Sequence, residues 1–150
     1  MNRWMVNLVL LSIIVVSTSF VRKSNLGNLH TLTVQITNIR NSKGRIQLQI
    51  YRNQAAYSKQ TPWRVKYVSK DDLKNKTLVY SIPSLESGVY GIAILDDEDQ
   101  NTKMKYSWLM PDEGFGFSDF YLTGLSSPDF EDFKFNLNGD KTVKVIVKYM

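Results

Sequence analysis

Apolar and polar residues alternate along most of this chain, and this period of two constrains its fold more than any other feature of the sequence. Successive side chains of a strand point to opposite faces, so an alternating run collects its apolar residues on one face. Apolar residues at helical spacing are nearly absent. The pattern predicts an all-β fold with seven strands. Their expected inward-facing stretches are Leu32–Ile36, Ile46–Ile50, Trp63–Tyr67, Leu78–Ile82, Tyr90–Ile94, Phe133–Leu137 and Val143–Tyr149.

Turn residues between these runs predict how the strands pair. Asn41–Gly44 separates the first two runs, and its glycine suits a turn that needs a positive φ. Asn138-Gly139 separates the last two runs, and Asn-Gly is a strong hairpin signal. We therefore expect an opening and a closing hairpin, with a helical turn only within Asn53–Lys59. The fifth run is apolar on both faces, which favours the middle of a sheet.

Seven strands that each carry an apolar face bury it best as two facing sheets. The expected fold is thus a seven-stranded antiparallel β-sandwich, built as one domain over residues 30–150. A chain of 150 residues that is 43% apolar suits a single core. The chain has no cysteine, which excludes disulfides, thiolate chemistry and cysteine metal sites.

The first residues resemble an export signal rather than part of the domain. Arg3 precedes an apolar run, Trp4–Val16, and the small residues Ser17–Ser19 follow it. The run is shorter than the roughly 20 residues that cross a bilayer, and its order is typical of a secretory signal. We predict a signal peptide over residues 1–19. An uncleaved membrane anchor is the alternative, because the small residues are serines rather than alanines.

Charge is segregated along the chain. Residues 20–85 contain twelve basic and two acidic residues, a net charge of +10, whereas residues 86–140 contain three basic and twelve acidic residues, a net charge of −9. The basic residues alternate with apolar ones, so they should spread over a solvated face rather than line a groove. We therefore expect no nucleic acid as partner, and contact with a membrane only through an uncleaved signal segment.

A series of motifs in the second half resembles known families. Leu85-x-x-Gly88-x-Tyr90 resembles the prealbumin-like and collagen-adhesin B-type sandwich modules, in which the glycine makes a turn and the tyrosine packs a corner. The motifs that follow are more specific. They are Asp97-Glu98 with Asn101 and Lys103, then Pro111-x-Glu113-Gly-Phe-Gly-Phe-Ser118, then Pro128-x-Phe130-Glu-Asp132 before Phe133 and Phe135.

In this order and spacing, the motifs resemble the bacterial domain-of-unknown-function family 2141, from about Leu32 to Tyr149. The resemblance implies an exported β-sandwich of prealbumin-like or immunoglobulin-like type, and it implies no enzyme activity. The chain departs from the family pattern in its acidic loop. There Asp96 replaces a histidine, Thr102 a glycine and Lys105 an aspartate.

The acidic loop is the best candidate for metal binding. Asp97, Asp99 and Asn101 stand at alternate positions, which lets a tight loop direct several oxygens at a hard cation such as Ca²⁺. The loop is not an EF-hand, because Thr102 and Trp108 stand where that motif has its glycine and its glutamate. The alternative is a solvated loop whose Asp and Asn side chains bond local backbone groups.

The glycine-aromatic loop is the best candidate for binding an organic ligand. Phe115 and Phe117, together with Trp108, could present rings to a sugar or a peptide side chain, and the glycines would allow close approach. Alternatively, these aromatics fold back and cap one end of the sandwich.

Candidates for catalysis are few. His30 precedes the first strand with no neighbouring candidate nucleophile, and a serine triad needs a base that a third group orients. The carboxylate pairs Glu98 with Glu113 and Glu131 with Asp132 could in principle supply an acid and a base. We expect no catalytic residue and no enzyme.

The sequence therefore predicts an uncharacterised exported bacterial protein, a non-catalytic binding or structural module of the envelope. It would lie in the periplasm, on the outer surface or in the medium, with an envelope protein or a glycan as partner and no required cofactor. A calcium-stabilised carbohydrate-binding or adhesion module is the first alternative, and an undiscovered hydrolase is the second.

Overall fold

Strands dominate the computed structural model, which describes residues 29–104, 106–107, 110–124 and 126–150. The predicted signal peptide, residues 1–19, lies outside these ranges. Among the described residues, no helix is long and apolar enough to span a bilayer. The helices are α1 (Gln54–Ser58) and α2 (Phe130–Phe133). The strands are β1 (Leu29–Thr37), β2 (Arg45–Tyr51), β3 (Arg64–Ser69), β4 (Leu78–Glu86), β5 (Gly88–Asp97), β6 (Tyr106–Ser107), β7 (Met110–Pro111), β8 (Gly114–Phe117), β9 (Lys134–Leu137) and β10 (Lys141–Ile146).

The strands form two main sheets, and the prediction of an all-β fold is confirmed. One sheet has the order β10-β1-β4, and the other has the order β3-β2-β5-β8, with β9 also paired to β5. The beginning of β5 pairs with β9 and its end pairs with β8. β5 therefore lies in the middle of its sheet, as its two apolar faces predicted. The short strands β6 and β7 pair with each other.

Both sheets contribute side chains to one apolar core. The alternating residues of β1, β2, β5 and β10 are buried in it, in agreement with the period-two pattern. Its fully buried members include Leu32, Val34, Ile36, Ile46, Leu48, Ile50, Tyr90, Ile92, Leu137, Val143 and Val145.

Both predicted hairpins are wrong. β1 pairs with β4 and β10, whereas β2 pairs with β3 and β5, so the turn at Asn41–Gly44 crosses from one sheet to the other. β9 pairs with β5 and β10 with β1, so Asn138-Gly139 also joins two sheets. Turn residues encode a reversal of chain direction, but long-range packing selects the partner strand. The alternation of apolar and polar residues along a strand is the same whichever strand becomes its partner.

Two further details of the predicted sandwich differ from the structure. β1 and β10 run parallel, so the pairing is not wholly antiparallel. β8 is an additional strand, in which two glycines, which disfavour strands, alternate with two phenylalanines, which favour them. Together with β8, the two main sheets contain eight strands within the described residues, rather than seven.

The expected inward face of the third strand is also wrong. Trp63 and Tyr67 are 47% and 51% exposed, and Val68 is buried instead. The reason is the register with β2, which places Val68 opposite the core residue Ile46 and Arg64 opposite Ile50. β3 lies at the edge of its sheet, so the apolar residues on its other face have little cover.

A second apolar cluster lies outside the main core, near the two short helices. Its buried members are Tyr51, Ala93, Phe117, Phe130 and Phe133. The predicted helical turn is confirmed as α1, and the side chain of Asn53 caps it by accepting the N–H of Ala56 at 2.8 Å. The expectation that only this segment is helical is wrong, because α2 is a second short helix. Burial in this cluster raises the pKa of Tyr57 to about 12.

Candidate functional site

Most of the charged side chains that contact one another gather where β2 begins and β3, β5 and β10 end. We call this region the charged end. Strand register produces it, because Arg45 lies opposite both Ser69 and Asp97. The parallel pairing of β10 with β1 brings the C-terminal residues to the same end. The charged end consists of Arg40, Arg45, Lys70, Asp96, Asp97, Glu98, Asp99, Asn101, Glu113 and Tyr149.

A buried ion pair lies at the centre of the charged end. Asp96 is fully buried and Lys70 is 2% exposed, and the ammonium of Lys70 meets Oδ1 of Asp96 as an ion pair rather than as a well-aligned hydrogen bond. The Lys70 Nζ also donates to the carbonyl of Lys43 at 2.6 Å. The hydroxyl of Tyr149 donates to Asp96 Oδ2 at 2.5 Å. Asp96 is thereby sealed from solvent with a partner on each oxygen.

The ionisation of these groups follows from their burial. Burial raises the pKa of Asp96, and the bonds from Lys70 and Tyr149 oppose that rise. Burial, followed by the hydrogen bond to Asp96, raises the pKa of Tyr149. The phenol therefore stays protonated and serves as a donor. This arrangement of Lys70, Asp96 and Tyr149 stabilises the junction of the two sheets.

Two further ion pairs surround the buried one. Arg45 Nε donates to Asp97 Oδ2 at 3.0 Å, and Arg40 Nε donates to Glu98 Oε1 at 2.5 Å. The hydrogen bond from Arg40 lowers the pKa of Glu98, although burial opposes it. Gly44, at φ +67, lets the chain pass close to this site, because a Cβ there would stand 2.1 Å from the carbonyl oxygen of Asp97.

The structure brings two of the three predicted metal ligands together. One carboxylate oxygen each from Asp97, Asp99 and Glu113 lie within 4.8 Å of one another. The side-chain oxygen of Asn101 accepts the N–H of Lys103 at 2.7 Å, and its amide nitrogen donates to Asp99 at 2.8 Å. Asn101 thus orders the loop, as the alternative interpretation of the acidic loop proposed.

Sequence reasoning did not place Glu113 with the metal candidates. The register of β5 with β8 sets Asp96 opposite Gly114, which brings the adjacent residues Asp97 and Glu113 together. Glu113 is 3% exposed and accepts the N–H of Glu98 at 3.0 Å. Its position depends on a strand pairing that the sequence did not predict, so no local signal could have found it.

A cavity of about 410 Å³ borders this cluster. Carboxylates of Glu98, Asp99, Asp112 and Glu113 line it together with the basic side chains of Arg40 and Lys43. The lining therefore has four acidic and two basic residues, and its net charge favours a cation over an anion.

The predicted aromatic ligand site is partly inside the fold. Phe117 is only 9% exposed and its ring centroid lies 5.1 Å from that of Phe133 in the second apolar cluster. Phe115 is half-buried, with its ring centroid 6.2 Å from that of Phe117. Trp108 lies outside the described residues. Ligand binding by these three residues stays a prediction, while the burial of Phe117 agrees with the capping alternative.

The other candidate catalytic residues have local partners. His30 Nε2 lies 2.8 Å from the hydroxyl of Ser87, so the expectation that His30 has no neighbouring candidate nucleophile is wrong. The described part of the chain provides no carboxylate on the other nitrogen of this half-buried ring. Glu131 pairs with Lys134 at 2.5 Å, and Asp132 accepts the N–H of Asp129 as a helix cap.

Comparison with known proteins assigns the family. No curated protein and no solved structure matches this chain significantly. A bacterial family model, described as an uncharacterised protein conserved in bacteria, matches residues 34–145, which is more than half of the chain. The match confirms the resemblance that the acidic and glycine-aromatic motifs indicated. The chain therefore belongs to the bacterial domain-of-unknown-function family 2141.

Proposed function

We propose that this protein is a non-catalytic binding or structural module that is exported to the bacterial envelope. One observation carries the non-catalytic part. At the charged end, Asp96 binds Lys70 and Tyr149, while Asp97 and Glu98 each bind an arginine. A general acid or base must reach a substrate proton, and these carboxylates are directed at protein partners.

The basic, apolar and small residues of the first nineteen positions support export. An epitope tag at the C-terminus allows this to be tested by fractionation of cells that express the full chain. We expect the tag outside the cytoplasm and a new N-terminus near Ser19. A tagged protein that stays in the cytoplasm with Met1 intact would rule out export.

The non-catalytic part is tested with a panel of chromogenic esters, glycosides and phosphates. We expect the wild type to match the double variant Asp97→Asn with Glu113→Gln, which removes two of the three carboxylates of the cluster. A wild-type rate well above that of this variant, with both proteins folded by circular dichroism, would identify a hydrolase instead.

The sandwich is proposed to be of prealbumin-like or immunoglobulin-like type. Two sheets share one core, and Tyr90 donates its hydroxyl to the carbonyl of Glu86 at 2.8 Å. A tyrosine that bonds back to the chain a few residues upstream is a feature of immunoglobulin-type corners. Superposition of a crystal structure on sandwich folds would test this assignment.

The convergence of Asp97, Asp99 and Glu113 favours calcium-stabilised carbohydrate binding or adhesion as a second candidate. Hard cations prefer such oxygen ligands, although Asp97 already accepts from Arg45 and from the N–H of Thr102. A cation that binds only the folded protein raises the melting temperature by mass action. This candidate predicts a rise at millimolar Ca²⁺ that chelator reverses and Asp99→Asn reduces. An unchanged melting temperature would rule it out.

A further inference from the structure

A cluster of cations and aromatic rings lies at the opposite end of the strands. We call it the tryptophan end and define it by Arg52, Trp63, Arg64 and Tyr90. The carbon Cζ of Arg64 lies 4.4 Å from the ring centroid of Trp63, and that of Arg52 lies 5.4 Å from it. The indole packs edge-on against Tyr90, at 6.0 Å between centroids. Trp63 is nevertheless 47% exposed.

The two guanidinium groups of the tryptophan end have no acidic partner among the residues that the structure describes. Arg52 donates to the hydroxyl of Tyr90 at 3.1 Å and lies 4.2 Å from its ring centroid. Within the described ranges, neither Arg52 nor Arg64 forms an ion pair with a carboxylate. Stacking on the aromatic rings orients both groups without neutralising them. An anionic partner would therefore meet cations that are already positioned.

The backbone beside this cluster can accept another strand. β3 pairs only with β2 among the described elements, so its other edge presents N–H and C=O groups that no neighbouring strand satisfies. Arg64 and Lys66 follow each other on one face of β3, since they lie opposite Ile50 and Leu48. An added strand would place alternate side chains beside these two cations.

Basic residues on an edge strand can also serve only to prevent aggregation. Protection of that kind does not explain why a large aromatic residue is held half-exposed at the start of the same edge. The N–H of Trp63 donates to the carbonyl of Ile50 at 2.8 Å, which holds the residue in line with β3. Exposed tryptophan beside arginine is the composition of an interface rather than of a protected edge.

We propose that the free edge of β3 binds an extended acidic peptide segment by strand addition. Backbone hydrogen bonds to β3 provide affinity, and Trp63 is the apolar anchor. Arg64 and Lys66 select acidic residues spaced two apart, and Arg52 adds a third positive charge. This inference rests on the proposed binding role and names the partner for it.

The test is calorimetric titration of protein purified from cells that express the full chain. The probe is a seven-residue peptide of alternating threonine and glutamate, capped at both ends. One comparison peptide has glutamine in place of glutamate, and another has N-methyl groups on all of its backbone amides. We expect binding of the first peptide alone, since the others lack either the charge or the backbone donors.

Variants of the protein locate the site. We expect Trp63→Ala and Arg64→Gln each to raise the Kd at least about tenfold, as for central interface residues. Lys144→Gln removes the same charge from an exposed position on β10 and should leave the Kd unchanged. Circular dichroism checks that each variant is folded.

Three results would overturn the inference. They are no binding of the glutamate peptide, equal binding of its N-methylated form, and tighter binding of an anionic polysaccharide or an oligonucleotide of matched charge. Export and the absence of catalysis are measured separately, so failure here would leave the proposed function standing. A cytoplasmic location or a measured hydrolase activity would, in turn, leave peptide binding by the purified protein intact.

Discussion

The two ends of the molecule both carry basic side chains, but within the described residues only one end supplies them with acidic partners. At the charged end, Arg40, Arg45 and Lys70 each bind a carboxylate from the end of β5. At the tryptophan end, Arg52 and Arg64 stack on aromatic rings and stay unneutralised within the described structure. Side chains of the same type thus stabilise the fold at one end and remain available to a partner at the other.

The largest expected effect concerns the buried ion pair. Asp96→Asn leaves the ammonium of Lys70 buried without its counter-charge, which should lower the free energy of unfolding by about 3–5 kcal/mol. Urea unfolding at pH 7 measures the change. The double variant Lys70→Met with Asp96→Asn should regain most of the loss, because the unpaired charge is gone.

The matched control for this prediction is Asp72→Asn, which removes an acidic residue from an exposed position. It should change the free energy of unfolding by less than about 0.5 kcal/mol. If Asp96→Asn were equally mild, the charged end would not be a structural junction and the comparison between the two ends would fail.

Tyr149→Phe tests the second partner of Asp96. The substitution removes the hydrogen bond to the carboxylate and the bond that the hydroxyl accepts from the N–H of Arg40. We expect a loss of about 2 kcal/mol in urea unfolding, since hydrogen bonds to charged groups are the stronger ones. Tyr121→Phe, at a residue that is 49% exposed, should change little. Equal effects of the two substitutions would contradict the role given to Tyr149.

Trp63→Ala probes the stability of the tryptophan end. We expect a loss of about 1 kcal/mol, because the ring is half-exposed and its contacts with the two arginines are near the surface. Thermal unfolding with Trp63→Phe as the control measures it. A loss as large as that of Asp96→Asn would show that Trp63 is a core residue and would weaken its role as a binding anchor.

The smallest effect is a pH dependence at the charged end. Arg40 lowers the pKa of Glu98 below its ordinary value of 4.5. The stabilisation by the Arg40–Glu98 ion pair is therefore present above about pH 4.5 and is lost as the pH falls through the lowered pKa of the folded state. The reason is that the carboxyl group binds a proton at higher pH in the unfolded state than in the folded state. Glu98→Gln should reduce stability by about 0.5 kcal/mol at pH 7.

Urea unfolding of wild type and Glu98→Gln at pH 7 and pH 3 separates charge from geometry. The difference between the two proteins should be smaller at pH 3 than at pH 7, since protonation of the carboxyl group in the unfolded state removes part of the stabilisation. An undiminished difference at pH 3 would mean that the position of Glu98 matters rather than its ionisation.

The candidate sites were predictable where they depend on neighbours in the chain. Asp97 and Asp99 belong to one loop, and alternation placed their side chains close together. Glu113 joins them only because β8 pairs with the end of β5. Likewise, no local pattern indicated that Lys70, Asp96 and Tyr149 would meet, because their contact requires three separate strands to finish at one end.

The sequence by itself determined the all-β class, the family and the buried faces of most strands, because alternation of apolar residues is a local property that any pairing must respect. Only the tertiary structure decided which strands are neighbours. Both predicted hairpins cross between sheets, and β1 runs beside β10 in parallel. Partner choice depends on packing the whole core at once, and that choice also decided which charges pair at one end and which stay unpaired at the other.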